Sequence, residues 1–290
     1  SGHHNIAIGK DAGVGLTTGQ SNIAIGYQAL LDADNNEEFN IAIGTNAMEN
    51  INYNGSGNNV AIGAFAMRGG SITAAITDNI AIGQYTLSSI TTADESVAIG
   101  GWALYGLTTG TGNIGIGYSA LKVHTTGGNN IAIGYGAMDD TDAGSNSLNS
   151  SDNIFIGNGA GGGTWTDVLS QYNIGIGSST LDAALDGADY NVMIGYGAGG
   201  SITTAEKSIG IGGSALLSAT TSTLNTAVGF EAGVSLTTGA GQNTFLGYQT
   251  GRSATTTTYS VFIGAYAGYN QSIASYGNVH IGWGSGQYAS

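Results

Sequence analysis

Several groups of residues in this chain have types and spacings that could do chemistry. Acidic side chains gather at Asp32, Asp34, Glu37 and Glu38, at Asp139, Asp140, Asp142 and Asp152, and at Asp182, Asp186 and Asp189. Paired carboxylates can cleave a glycosidic bond, one as acid and one as base or nucleophile, or supply the oxygen ligands that calcium takes. None of these spacings matches a known calcium loop, so solvated loop charge is the expectation; no cofactor is expected, and calcium is the one alternative. His280 lies where three copies of a chain could bring it to a common axis and hold a metal, against the plainer reading of a packed, hydrogen-bonded histidine. His3 and His4 stand where a neighbouring repeat carries Asn, and His124 lies in a turn.

Glycine-rich stretches such as Gly195-Tyr196-Gly197-Ala198-Gly199-Gly200 look like dinucleotide-binding loops. Such a loop must close a strand and open a helix within a βαβ unit, and here the pattern recurs without helical periodicity, so it reads as structural. Trp102, Trp165, Trp283, Tyr27, Tyr118, Tyr135, Tyr196 and Tyr248 could stack on sugar rings. Most of them follow a repeated glycine and read as packing ladders. Trp165 instead falls in the longest irregular stretch, residues 139 to 172, and Asp139, Asp140, Asp142 and Trp165 are the expected receptor-facing surface. Asn54, Asn149 and Asn270 match the glycosylation acceptor pattern, which an Asn-rich chain also produces by chance.

The elements that must position these groups come from a repeat. The unit is Asn or Ser, apolar, small, apolar, Gly. It runs from Asn5-Ile6-Ala7-Ile8-Gly9 to Asn278-Val279-His280-Ile281-Gly282. Its anchor glycines are Gly9, Gly26, Gly44, Gly63, Gly83, Gly100, Gly117, Gly134, Gly157, Gly177, Gly195, Gly212, Gly229, Gly247, Gly264 and Gly282, separated by 17 to 23 residues. The unit opens with Ser only at Ser96, Ser208 and Ser260. After each glycine comes an aromatic or variable residue, then Ala, then Leu, Met or Gly, then a run of Thr, Gly, Ser, Asn and Asp that favours turns. Met48, Met67 and Met138 share the slot of Leu30 and Leu104 and are expected in the core.

Two β-branched residues two apart share one face of a strand. That pattern predicts an all-β fold: a parallel β-solenoid (β-roll) of about sixteen coils over residues 1–290, with isoleucine stacked on isoleucine in the core, glycine at the corners, asparagine ladders and almost no helix. The residue between the two isoleucines then points away from the coil's interior. It is mostly Ala or Gly, and otherwise Phe155, Met193, Phe245, Phe262 and His280. Its small or apolar character predicts a subunit interface there, most simply in a homotrimer.

Composition narrows the function classes. Of 290 residues, 52 are glycine, none is proline or cysteine, and 5 basic residues stand against 19 acidic ones, for a net charge of −14. Collagen would need proline and a glycine every third residue, and a phosphate-backbone partner would need clustered Lys and Arg. Neither nucleic-acid binding nor direct membrane insertion is expected, since no apolar run approaches the roughly 20 residues that cross a bilayer.

The Asn/Ser-apolar-Ala-Ile-Gly unit resembles the head repeats of trimeric autotransporter adhesins of the YadA type and the similar repeats of phage tail fibres. The resemblance covers nearly the whole chain at the level of the motif, although the coils here are longer, and neck, heptad stalk and anchor are absent from this stretch. It implies a trimeric β-roll displayed outside a cell or virion for attachment, with itself and a host-surface glycan or protein as partners. The chain starts inside a coil and ends soon after its last glycine, with no polar cap at either end, which reads as a segment of a longer fibre or an end-to-end stacking unit. The function expected is therefore that of a structural or adhesive fibre segment and not of an enzyme. An ice- or polysaccharide-binding solenoid and a glycan-cleaving tailspike are the alternatives.

Overall fold

A computed structural model describes residues 2–32, 36–141, 149–166, 168–239, 241–271 and 276–288. By their contacts these fall into two compact units, residues 1–140 and 141–290. Each contains eight strands of three residues. The first holds β1 (Ile6–Ile8), β2 (Ile23–Ile25), β3 (Ile41–Ile43), β4 (Val60–Ile62), β5 (Ile80–Ile82), β6 (Val97–Ile99), β7 (Ile114–Ile116) and β8 (Ile131–Ile133). The second holds β9 (Ile154–Ile156), β10 (Ile174–Ile176), β11 (Val192–Ile194), β12 (Ile209–Ile211), β13 (Thr226–Val228), β14 (Thr244–Leu246), β15 (Val261–Ile263) and β16 (Val279–Ile281). Within each unit consecutive strands pair in parallel and in register, as in Ile23↔Ile41, Ala24↔Ala42 and Ile25↔Ile43. No α-helix occurs among the described residues. The expected β-solenoid, with like residues stacked coil upon coil, is what each unit contains.

Glycine at each corner is required sterically. Gly26 has φ +137°, and a Cβ there would lie 2.5 Å from the carbonyl oxygen of Gly44 in the next coil. No L side chain fits both the angle and the approach. Two and four residues further on, the chain turns left-handed even at non-glycine residues, as at Gln28 (φ 53°) and Leu30 (φ 51°). Such angles cost roughly 1–2 kcal/mol each. They let this wall hydrogen-bond to both neighbouring coils: Gln28 N–H donates to Lys10 C=O at 3.0 Å and Leu30 N–H to Ala47 C=O at 2.9 Å. Proline would remove such donors, and the chain has none.

The corner before each strand is closed by an asparagine ladder, as the sequence predicts. Asn40 N–H donates to the side-chain oxygen of Asn22 at 2.9 Å, and the Asn22 amide donates to Glu37 C=O at 2.7 Å. The same link recurs through Asn59, Asn79, Ser96, Asn113 and Asn130. The second unit repeats it from Asn153 to Asn278. Where serine interrupts the ladder, its hydroxyl takes over the acceptor role, as Ser96 does for Asn113 N–H at 3.3 Å. Most of these side chains are fully buried, where an unmet amide would cost several kcal/mol.

The inside and outside of the strands are reversed from the expectation. The middle residue of the strand fills the lumen: Ala24, Ala42, Ala61, Ala81, Ala98 and Ala132 are all fully buried. The flanking isoleucines point outward, and Ile80 and Ile82 are each 37% exposed. The lumen is narrow because the opposite wall presses Leu or Met into it. Leu30, Met48, Met67, Leu87, Leu104, Leu121 and Met138 are fully buried four residues after their corner glycines. A strand residue facing those side chains has room for little more than a methyl group.

Candidate functional site

The residues expected at a subunit interface are core residues. Phe155, Met193, Phe245 and Phe262 are fully buried within their own coils. His280 is partly buried in the lumen, 4.9 Å between ring centres from Phe262, with Nε2 2.8 Å from Gln271 Oε1. They fit because the opposite wall withdraws. A Cβ at Gly161 would lie 2.8 Å from the Phe155 ring, one at Gly199 2.9 Å from Met193, one at Gly251 2.8 Å from Phe245, and one at Gly268 2.6 Å from Phe262. Large strand residues thus pair with glycine and most small ones with Leu or Met; Ala227 faces Gly233, beside which the Phe245 ring of the next coil sits, so the lumen stays filled. That exchange of sizes is present in the sequence, but it marks the inner face only once the two positions are known to stand opposite each other.

The expected receptor surface is also reassigned in part. Trp165 is fully buried, packs edge-on against Phe155 at 5.9 Å and donates its indole N–H to Gly161 C=O at 3.0 Å. An indole of this size satisfies its one donor inside the core and offers no platform. Asp139 and Asp140 are half-buried in the first unit, and Asp142 lies outside the described residues, as does Asp34. Among the described residues no three acidic, histidine or cysteine side chains are placed to hold a metal. Asp94, Asp186 and Asp189 instead accept backbone N–H bonds from a neighbouring coil, at Thr77, Val168 and Gln171. Burial pushes the Asp189 carboxyl above its ordinary range, and the bond from Gln171 opposes that shift. His124 is fully buried, which holds its imidazole at a pKa of about 4, and its Nε2 lies 3.1 Å from the Asn130 amide.

What the solenoid leaves outside is a strip of paired aliphatic columns. In the first unit the columns begin at Ile6 and Ile8 and run through eight coils without a polar residue; in the second, Thr226 and Thr244 are the only interruptions. At about 4.8 Å per strand, each strip is roughly 34 Å long. It is bordered by exposed aromatic stacks, among them Tyr172 on Tyr190 at 4.9 Å and Tyr118 on Tyr135 at 5.5 Å. A continuous apolar strip of this kind is the signature of an interaction surface. Serine, threonine and asparagine hydroxyl and amide groups elsewhere are largely used between coils. Thr91 donates to Thr108 C=O and Thr108 to Thr125 C=O, for example. Comparison with known proteins finds no matching family model and no matching curated protein.

Proposed function

We infer that the chain is a structural, adhesive segment of an extracellular fibre, on a cell surface or a virion, that associates with copies of itself through the isoleucine strip. Three copies about a common axis is the arrangement we favour, in line with the resemblance to trimeric adhesin heads. The observation that carries this reading is the strip itself. Two columns of aliphatic side chains in register face outward where a solvated strand face would carry Thr, Lys or Glu. A second copy is the occupant whose strip has the same length and repeat spacing, so the two can meet coil for coil. The remaining faces then repeat along each chain and around the assembly, and attachment gains from multivalency instead of from one deep pocket. No catalytic role is proposed; Asp94, Asp186 and Asp189 serve as acceptors for the backbone of a neighbouring coil.

The test is solution mass by light scattering. The expected result is three times the 28.9 kDa chain. Thr226 and Thr244 show that a β-branched polar residue suits this position without disturbing the coil. Ile23→Thr, Ile41→Thr, Val60→Thr and Ile80→Thr together, all at that first strand position, are therefore expected to leave the β-sheet circular dichroism unchanged and release monomers. A native chain that is monomeric at micromolar concentration would sink the reading.

A further inference from the structure

One cleft in the second unit stands apart from the repeat. It has a volume of about 250 Å³ and lies across the coils that follow β10, β11 and β12. Each coil contributes a residue at three positions after its corner glycine, so the coils form columns. One column reads Ser179, Gly197, Ser214; the next reads Asp182, Gly200, Leu217; and Tyr196 stands between Ser178 and Gly213 in the third. Backbone bonds from Gly197 N–H to Ser178 C=O at 3.0 Å and from Ser214 N–H to Tyr196 C=O at 2.8 Å hold these columns in register. The cleft is therefore two missing side chains in the middle coil. Hydroxyls lie above and below, a carboxylate is at one end, and an aromatic ring is at the rim.

The walls have defined chemistry. Tyr196 is 71% exposed, and among the described residues no aromatic ring stacks on it, unlike the pairs Tyr172–Tyr190 and Tyr118–Tyr135. Asp182 is held by the Ser179 hydroxyl and by Gly162 N–H, and burial raises its pKa against those two bonds. A carboxylate has about four lone-pair directions, so acceptor capacity remains for a ligand. An anion would be repelled by Asp182, and a divalent cation would find one carboxylate where it needs six or more oxygens. A sugar ring suits the site better. Its apolar face stacks on an aromatic ring, and its hydroxyls are both donors and acceptors, matching serine hydroxyls and a fixed carboxylate.

We propose that this cleft binds a single pyranose unit of an uncharged glycan, with Tyr196 against the ring face and Asp182, Ser179 and Ser214 on its hydroxyls. The site deepens the attachment reading above by giving it a ligand class. It is built from one chain, so solution mass and sugar binding fail independently.

The experiment titrates the intact protein with methyl glycosides of glucose, galactose, mannose and N-acetylglucosamine, followed by saturation-transfer NMR and calorimetry. At least one glycoside is expected to saturate the protein, with a millimolar dissociation constant. Asp182→Asn, Tyr196→Ala and Gly197→Gln are each expected to weaken it at least tenfold with unchanged circular dichroism; Gln249 (φ 51°) holds the same place in its coil as Gly197 (φ 62°), where a Cβ would meet nothing closer than 3.7 Å. Three results overturn the site: no saturable binding of any of the four, binding that survives all three substitutions, or saturation by methylammonium with none by a glycoside.

Discussion

At the residue scale, the ladder asparagines and His124 carry the clearest consequences. Asn113 donates to Gly127 C=O at 2.8 Å and accepts Asn130 N–H at 3.0 Å, both buried. Asn113→Ala withdraws the partner from both groups and is expected to cost about 2–4 kcal/mol in urea unfolding. Asn113→Ser keeps the acceptor, as Ser96, Ser208 and Ser260 do, and is expected to cost less than half as much. His124 gives a pH dependence of defined sign. Burial lowers its folded pKa from 6.5 to about 4, so below pH 6.5 the unfolded chain takes up a proton that the folded chain refuses. Its contribution to stability is complete above pH 6.5, declines as pH falls and levels off below about 4. The total loss is about 3 kcal/mol. The difference in unfolding free energy between the native chain and His124→Gln, measured across that window, isolates this from the carboxylates. A difference independent of pH would contradict it. From sequence, His124 was only a turn residue; in the fold its ring is fully buried against the ladder residue Asn130.

At the element scale, the pairing of sizes across the lumen predicts strong coupling. Phe245→Ala opens a cavity and is expected to cost about 3–5 kcal/mol. Gly251→Leu alone places a side chain on the Phe245 ring, 2.8 Å from where its Cβ would stand. Together they recreate the Ala81 and Leu87 pair of the first unit, both fully buried, and Gly251 (φ 59°) has nearly the same backbone angle as Leu87 (φ 47°). The double substitution is expected to recover much of the loss, with a coupling energy of about 2 kcal/mol in a double-mutant cycle. Additive effects would mean that the two positions do not share one space. The strands were legible in the sequence, since Asn, glycine and paired isoleucines recur in fixed order. Which strand residue faces the lumen was not, because both faces of the strand are apolar and alternation alone has no inside. Phe155 and Phe245 look like interface residues until Gly161 and Gly251 are seen opposite them.

At the scale of the whole molecule, coils contact mainly their neighbours, so one complete coil should be removable. Deleting residues 97–113 removes β6, Gly100 and Asn113 together, joins Ser96 to Ile114 and leaves every remaining corner glycine, ladder residue and strand in step. That variant is expected to fold with a modestly lower melting temperature. Deleting 98–113 instead shifts the following strand by one residue and sends its inner face outward, and it is expected to aggregate. Circular dichroism and light scattering of the two distinguish them; equal behaviour would mean that register is not what holds the stack. The amino-acid sequence by itself determined the number of strands, their parallel order, the corner glycines and the asparagine ladder, because each follows from a local motif repeated at the spacing of one coil. Only the tertiary structure decided which face is core, that Trp165 is buried, and that Ser179, Asp182, Tyr196 and Ser214 line one cleft. Those outcomes depend on the distance between two walls and on the stacking of successive coils, and both arise between residues far apart in the chain.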